Sequence, residues 1–173
     1  MAFSACQQSV LPEFPRDILV TEVKAATKTL GIPPENLILL DYEVRTFNYR
    51  RQEILDDILK IEKEINPEIV FMPSLGDIHQ DHFTITNEGI RAFKFSSILC
   101  YELPWNNFSF NTSCFVKISS ADLRKKCQAL VQYKSQAHRS YASEEFITTL
   151  AKVRGVQSGG EFAETFEIIR WLI

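Results

Sequence analysis

Apolar positions along this chain follow two spacings, and the alternation between them predicts its elements. Residues 16–30, RDILVTEVKAATKTL, carry helical spacing and end at Gly31, with Pro33 and Pro34 behind it. Asn36 to Tyr42, NLILLDY, is a continuous apolar run of strand length. In residues 48–65, Ile54, Leu55, Ile58, Ile61 and Ile65 return every three or four positions with charges between them, an amphipathic helix stopped by Pro67. Glu68 to Met72 reads as a buried strand and residues 82–94 as a helix. SSILCYEL (97–104) and SCFVKIS (113–119) read as strands, followed by a helix from Ser120 to about Tyr133. Residues 143–153 form a further helix with Ser143 as its N-cap, and RGVQSGG (154–160) reads as a connection. MAFSA is a short strand candidate, and the tail ETFEIIRWLI fits either strand or helix. Helices alternating with continuous apolar strands predict an α/β fold with a mostly parallel sheet covered on both faces. Such sheets bind ligands beyond the carboxyl ends of their strands.

Composition narrows the function classes. The chain has 173 residues, suited to one domain over 1–173, with 45% hydrophobic and 24% charged residues. A net charge of -3 gives no general drive toward nucleic acid or an anionic membrane. Thirteen Phe predict an aromatic-rich core. No run approaches the roughly 18 apolar residues of a membrane span. Cys6, Cys100, Cys114 and Cys127 form no C-x-x-C pair, and no secretory signal is legible, so a reducing cytoplasm is the expected compartment. In that setting the sequons at Asn107 and Asn111 carry little.

Chemistry concentrates in residues 73–82, PSLGDIHQDH, which follow the Glu68–Met72 strand and hold two of the three histidines. The spacing is D-x-H-x-D-H: Asp77, His79, Asp81 and His82. Imidazole is the commonest metal ligand, and a neighbouring carboxylate orients it and sets its tautomer. Elsewhere, LPWNNFSFN (103–111) offers an aromatic, amide-rich loop in which Trp105 is placed to stack on a sugar ring. In KSQAHRSY (134–141), Arg139 suits a phosphate on a lipid-linked or nucleotide-linked substrate. The H-x-H-x-D-H loop of the metallo-β-lactamase superfamily is a competing pattern. It needs further histidines downstream, where only His138 remains.

The order of motifs resembles the PIG-L / LmbE-like family of zinc-dependent N-acetylglucosaminyl deacetylases. The strand and D-x-H-x-D-H loop resemble that family's second motif. Thr21-Glu22, Ala25, Ala26 and Leu30-Gly31-Ile32 resemble its E-x-x-x-A-x-x-LGI helix, and Asp41 resembles the acid ending its next strand. Asn66-Pro67-Glu68-Ile69-Val70 resembles its P-D-x-V entry, and Tyr133, Ser135-Gln136 and Ala163-Glu164-Thr165-Phe166 resemble its Y-x-S-Q and A-E-x-F signatures. The resemblance implies a three-layer Rossmann-like fold and hydrolysis of an N-acetyl amide on an amino sugar or its conjugate. It implies zinc as cofactor, with His82 as a ligand. His79 would act in proton transfer, Asp81 would orient His79, and Asp77 would shape the loop. Asp41, Asp77, Trp105 and Arg139 would face the substrate.

One part of the family pattern is absent. The family's first motif, A-H-P-D-D-E, supplies two more metal ligands and the general base, and this sequence contains no H-P-D-D. MAFSACQQS resembles the family's second strand, so the fold is expected to be N-terminally incomplete by one βα unit, with weak zinc binding and little activity for the chain alone. A fragment, a degenerate homologue and a site completed by a second polypeptide are the three ways to account for this. Exposed sheet edges would favour homo-oligomers. The alternative function is a non-catalytic sugar-binding or assembly subunit.

Overall fold

A computed structural model describes residues 1–173. It holds nine principal elements: α1 (Ile18–Leu30), α2 (Arg51–Ile65), β1 (Ile69–Pro73), α3 (Gln80–Ala92), β2 (Ser97–Tyr101), β3 (Cys114–Ile118), α4 (Ser120–Leu130), α5 (Glu144–Ser158) and β4 (Phe162–Arg170). The strand order is β1-β2-β4-β3. The expected α/β class is borne out. The parallel character is narrower than the sequence pattern predicts. β1 runs parallel to β2 with Ile69 opposite Ser97, but β4 joins β2 antiparallel, with Tyr101 opposite Phe166. β4 is the ambiguous tail. Its outer half, Phe166-Glu167-Ile168-Ile169-Arg170, mixes apolar and charged residues without strict alternation and is buried only at Phe166, which suits a half-solvated antiparallel strand.

Residue contacts cluster into two compact units, one of residues 1–44 with 116–164 and the other of residues 45–115 with 165–173. In the first, α1 packs on α4, and Leu123, Cys127, Ala151 and Phe162 form a core joined by Ile118 and Ile147. Gly31 closes α1 at φ 82 and returns its N–H to Lys28. α4 is capped by Ser119, in a reciprocal box with Asp122, and ends at Leu130, short of the expected Tyr133. α5 runs on to Ser158, through residues expected to form a connection. Gly155 is the reason: a Cβ there would lie 2.4 Å from the Glu161 carbonyl oxygen, so the helix needs its glycine for close approach and not for a break. The expected strand at 36–42 is reduced to a parallel bridge between Ala2 and Leu39. Ala2 exchanges hydrogen bonds with Ile38 and Leu40, but Tyr42 then bonds to Phe3, and no regular ladder continues from there.

In the second unit, α2 packs on α3 and α3 on β1. Ile54, Leu55 and Ile58 turn inward from α2, as the spacing predicts, whereas Ile61 is half-buried and Ile65, expected on the same face, is exposed at the helix end. Asn66 at φ 47 ends that helix ahead of Pro67. Gly89 lets α3 approach β1 so closely that a Cβ would stand 3.0 Å from the Met72 methyl. The Thr86 hydroxyl donates to the Pro73 carbonyl at 2.9 Å, which ties α3 to the last residue of β1. The fully buried Glu88 carboxylate pairs with Arg51 and Arg91. These contacts fix the helix, the strand and the loop between them as one frame.

Candidate active site

The loop from Ser74 to His79 leaves β1 and feeds α3, so its chemistry lies beyond a strand's carboxyl end and at a helix start. Asp77 organises it. Its backbone N–H returns to the Ser74 carbonyl at 3.1 Å. Its buried carboxylate accepts the His79 N–H on Oδ1 at 2.8 Å and meets His82 Nδ1 with Oδ2 at 2.7 Å. A carboxylate is an acceptor only, so Nδ1–H of His82 donates and Nε2 keeps its lone pair. The Asn106 amide lies 3.5 Å from Oδ2. A second loop braces the first: Asp77 bridges Asn107 antiparallel, and Ile78 donates its N–H to the Asn106 carbonyl. Trp105 sits in this bracing loop and is 37% exposed.

His79 is the N-cap of α3, and its Nδ1 accepts the Asp81 N–H at 3.2 Å. That bond requires an unprotonated Nδ1, so the ring proton of the neutral form sits on Nε2. Burial holds the His79 imidazole below the usual histidine range. His82 and Arg45 push the same way, against Asp81 and Asp77. The two imidazoles stack with centroids 4.5 Å apart.

Asp81 meets His79 through its backbone amide; its carboxylate turns to another partner. Oδ2 accepts the Arg45 N–H at 2.6 Å, and the Gln80 amide donates to the Arg45 carbonyl at 2.8 Å. Together they hold Arg45 at φ 70, a left-handed conformation uncommon for a side chain of that size. The buried Asp81 Oδ1 has no hydrogen-bond partner.

Asp77, His79, Asp81, His82 and Trp105 all belong to the unit of residues 45–115 and 165–173. Asp41 and Arg139 belong to the other unit. Asp41 is exposed there, and the Arg139 guanidinium donates to Gln136 and to the Tyr141 hydroxyl. Two polar residues unforeseen in the sequence flank the loop. Ser74 donates its hydroxyl to Glu167 of β4 at 3.0 Å, and burial followed by the Glu167 charge pushes the neighbouring Cys100 thiol up to about 12. Ser74 was findable as a polar residue directly after a predicted strand, although that strand is exposed at Ile69 and Phe71 and buried only at Met72 and Pro73, not throughout as expected. Glu167 was not, because it is distant in sequence.

The donor set can be compared with what zinc requires. A catalytic zinc takes three protein ligands and an open position. Here one imidazole is oriented by a buried carboxylate, and one buried carboxylate oxygen is unpartnered. No three His, Cys, Asp or Glu side chains converge on one point. These residues alone do not fit a complete zinc site.

The fold and the loop resemble those of α/β proteins of the PIG-L / LmbE-like type. Residues 16–93, just under half of the chain, match the family model described as PIG-L: GlcNAc-PI de-N-acetylase, so the resemblance read from the sequence is borne out. No curated protein sequence matches. Among solved structures, the conserved protein TT1542 from Thermus thermophilus superposes with a TM-score of 0.79 at 18% identity, covering 99% of this chain and 80% of that one. The N,N'-diacetylchitobiose deacetylase from Pyrococcus horikoshii gives 0.76 at 20% identity, covering 96% and 70%. GalB, the 4-carboxy-2-hydroxymuconate hydratase from Pseudomonas putida, gives 0.74 at 17% identity, covering 99% and 83%. At these identities the likeness defines the fold, and the hydratase marks that one fold hosts more than one reaction.

Proposed function

We propose that this chain carries part of a metal-dependent deacetylase site acting on the N-acetyl group of an amino sugar or its conjugate. The observation that supports the reading most directly is the Asp77–His82 pair beside the capping imidazole of His79. His82 Nε2 would face a metal, oriented by Asp77 in the manner of a carboxylate–imidazole–metal relay. His79 would hold a proton on Nε2 for a departing amine. Asp81 would set the position of His79 through its amide, while Asp77 and Trp105 of the same unit would contact substrate. A bound zinc would polarise the amide carbonyl and acidify water. With the donors present, the isolated chain binds zinc weakly and turns over little. The named deacetylases among the similar structures support amide hydrolysis, and the hydratase argues that fold alone does not select it. Four free cysteines, two of them buried, support a reducing compartment.

Calorimetric zinc titration with a deacetylase assay on N-acetylglucosamine conjugates tests this. Stoichiometric tight zinc with full turnover would overturn the incomplete-site reading. The incomplete donor set also favours a second reading, a non-catalytic sugar-binding subunit. Replacing His79 and His82 by Ala would then leave the biological role intact, and loss of that role in a folded variant would exclude it.

A further inference from the structure

A cavity of about 310 Å³ opens beside the motif loop, lined by Ser74, Gly76, Ser109, Phe110, Asn111 and Glu167. Its construction is specific. Ser74 is buried. Its hydroxyl accepts the Gly76 N–H at 3.0 Å and donates to Glu167 Oε2 at 3.0 Å, so the loop fixes one edge of the carboxylate. Gly76 permits the opposite wall: a Cβ there would stand 2.8 Å from the Ser109 carbonyl oxygen. No lysine or arginine pairs with Glu167, and Ser74 is its one hydrogen-bond donor.

A half-buried carboxylate with one oxygen committed and one open can accept hydrogen bonds from a ligand that displaces water there. Its neighbours in the cavity are a hydroxyl, a carboxamide and a phenyl ring. That set offers acceptors, donors and an apolar face together. It matches a neutral ring bearing hydroxyls on its edge and C–H groups on its face. A fully charged anion would be repelled by Glu167. The volume sits at the small end of ligand sites and is large enough to admit one sugar ring.

We propose that this cavity is a hydroxyl-recognition subsite for one saccharide ring. Glu167 accepts ring hydroxyl hydrogens, Asn111 and Ser109 complete the edge contacts, Phe110 meets the ring face, and Ser74 is a positioning residue. The proposal deepens the amino-sugar reading and rests on it in taking this ring as part of the same substrate.

The test uses the full chain, with N,N'-diacetylchitobiose and methyl glucoside as probes, followed by ligand-observed NMR and calorimetry. Both probes are expected to bind, chitobiose more tightly. Glu167→Gln should weaken both about ten-fold or more, the loss of one charge-assisted bond. Asn111→Ala, at an exposed position that leaves the fold intact, should weaken both by about five-fold on the same scale. Ser74→Ala should fall between wild type and Glu167→Gln. Wild-type affinity in folded Glu167→Gln and Asn111→Ala sinks the subsite and leaves the amino-sugar reading standing. Equal affinity for both probes, with Glu167 dependence retained, sinks the amino-sugar reading and leaves the subsite. Glucosamine binding that depends on Glu167 when methyl glucoside binding does not would make the site an ammonium site and overturn the proposal. Failure of every saccharide to bind the wild-type chain overturns it too.

Discussion

Asp77 Oδ2 and His82 Nδ1 stand 2.7 Å apart, and the same buried carboxylate holds the backbone of His79 through Oδ1. One side chain therefore sets both histidines, one by its ring and one by its peptide. Asp77→Ala would leave a ring N–H and a backbone N–H without acceptors and is expected to cost about 2–4 kcal/mol in urea unfolding. Asp77→Asn should cost less. Its amide oxygen still accepts one N–H, while its nitrogen cannot accept the other. If Ala and Asn lose the same stability, the two-oxygen account is wrong.

The pH dependence follows from His79. Its folded pKa lies below the ordinary value of 6.5, chiefly through burial. The unfolded chain therefore binds the proton more readily. Stability is fully present above the unfolded value and falls as pH drops through it toward the folded one. Protonation would also place a hydrogen on Nδ1, where the Asp81 N–H already points. His79→Asn keeps a capping oxygen without titrating. The wild type should lose more stability than His79→Asn between about pH 7.5 and 5.5, a window set by the histidine reference value. Parallel unfolding curves for the two proteins over that range would remove His79 as the cause.

Local signals made much of this legible in the sequence. The spacing of Ile54, Leu55 and Ile58 marked the buried face of α2, and the D-x-H-x-D-H loop after an apolar strand placed the site. The family resemblance held over residues 16–93. What stayed hidden depended on distant partners or on unusual use of a residue. Ser74 and Glu167 are 93 positions apart, and no local pattern pairs them. The antiparallel entry of β4 depends on its register with β2, which a single strand does not encode. α5 ran past Gly155 because the glycine answers a backbone across from it. His79 caps a helix with an imidazole, outside the residue types by which N-caps are recognised.

Glu22 is a buried acid used as structure. Its two carboxylate oxygens accept the Ser135 N–H at 2.9 Å and the Ser135 hydroxyl at 2.6 Å. The contact joins α1 to the turn that begins the 134–142 segment. Glu22→Ala should cost about 2–4 kcal/mol, because it strands two buried donors. Ser135→Ala should cost less, since the backbone bond survives. Chemical denaturation of both variants decides it, and a larger loss in Ser135→Ala would contradict the assignment.

Gly76 and Gly159 separate two reasons for a glycine. Gly159 caps α5 at φ 66 with nothing within 4 Å of a built Cβ, so its constraint is conformational. Gly76 is not left-handed; its constraint is the Ser109 carbonyl oxygen at 2.8 Å from a built Cβ. Gly159→Ala should lose about 1 kcal/mol, and Gly159→Asn should recover part of it, because asparagine tolerates the left-handed region. Gly76→Ala must push a backbone wall back and should lose about 1–3 kcal/mol, offset slightly by reduced freedom of the unfolded chain. Asparagine brings no relief at 76, since the larger side chain meets the same wall. Thermal melts of the four variants give the answer. Rescue by Asn at 76 would mean that backbone conformation, not the approach of Ser109, selects this glycine.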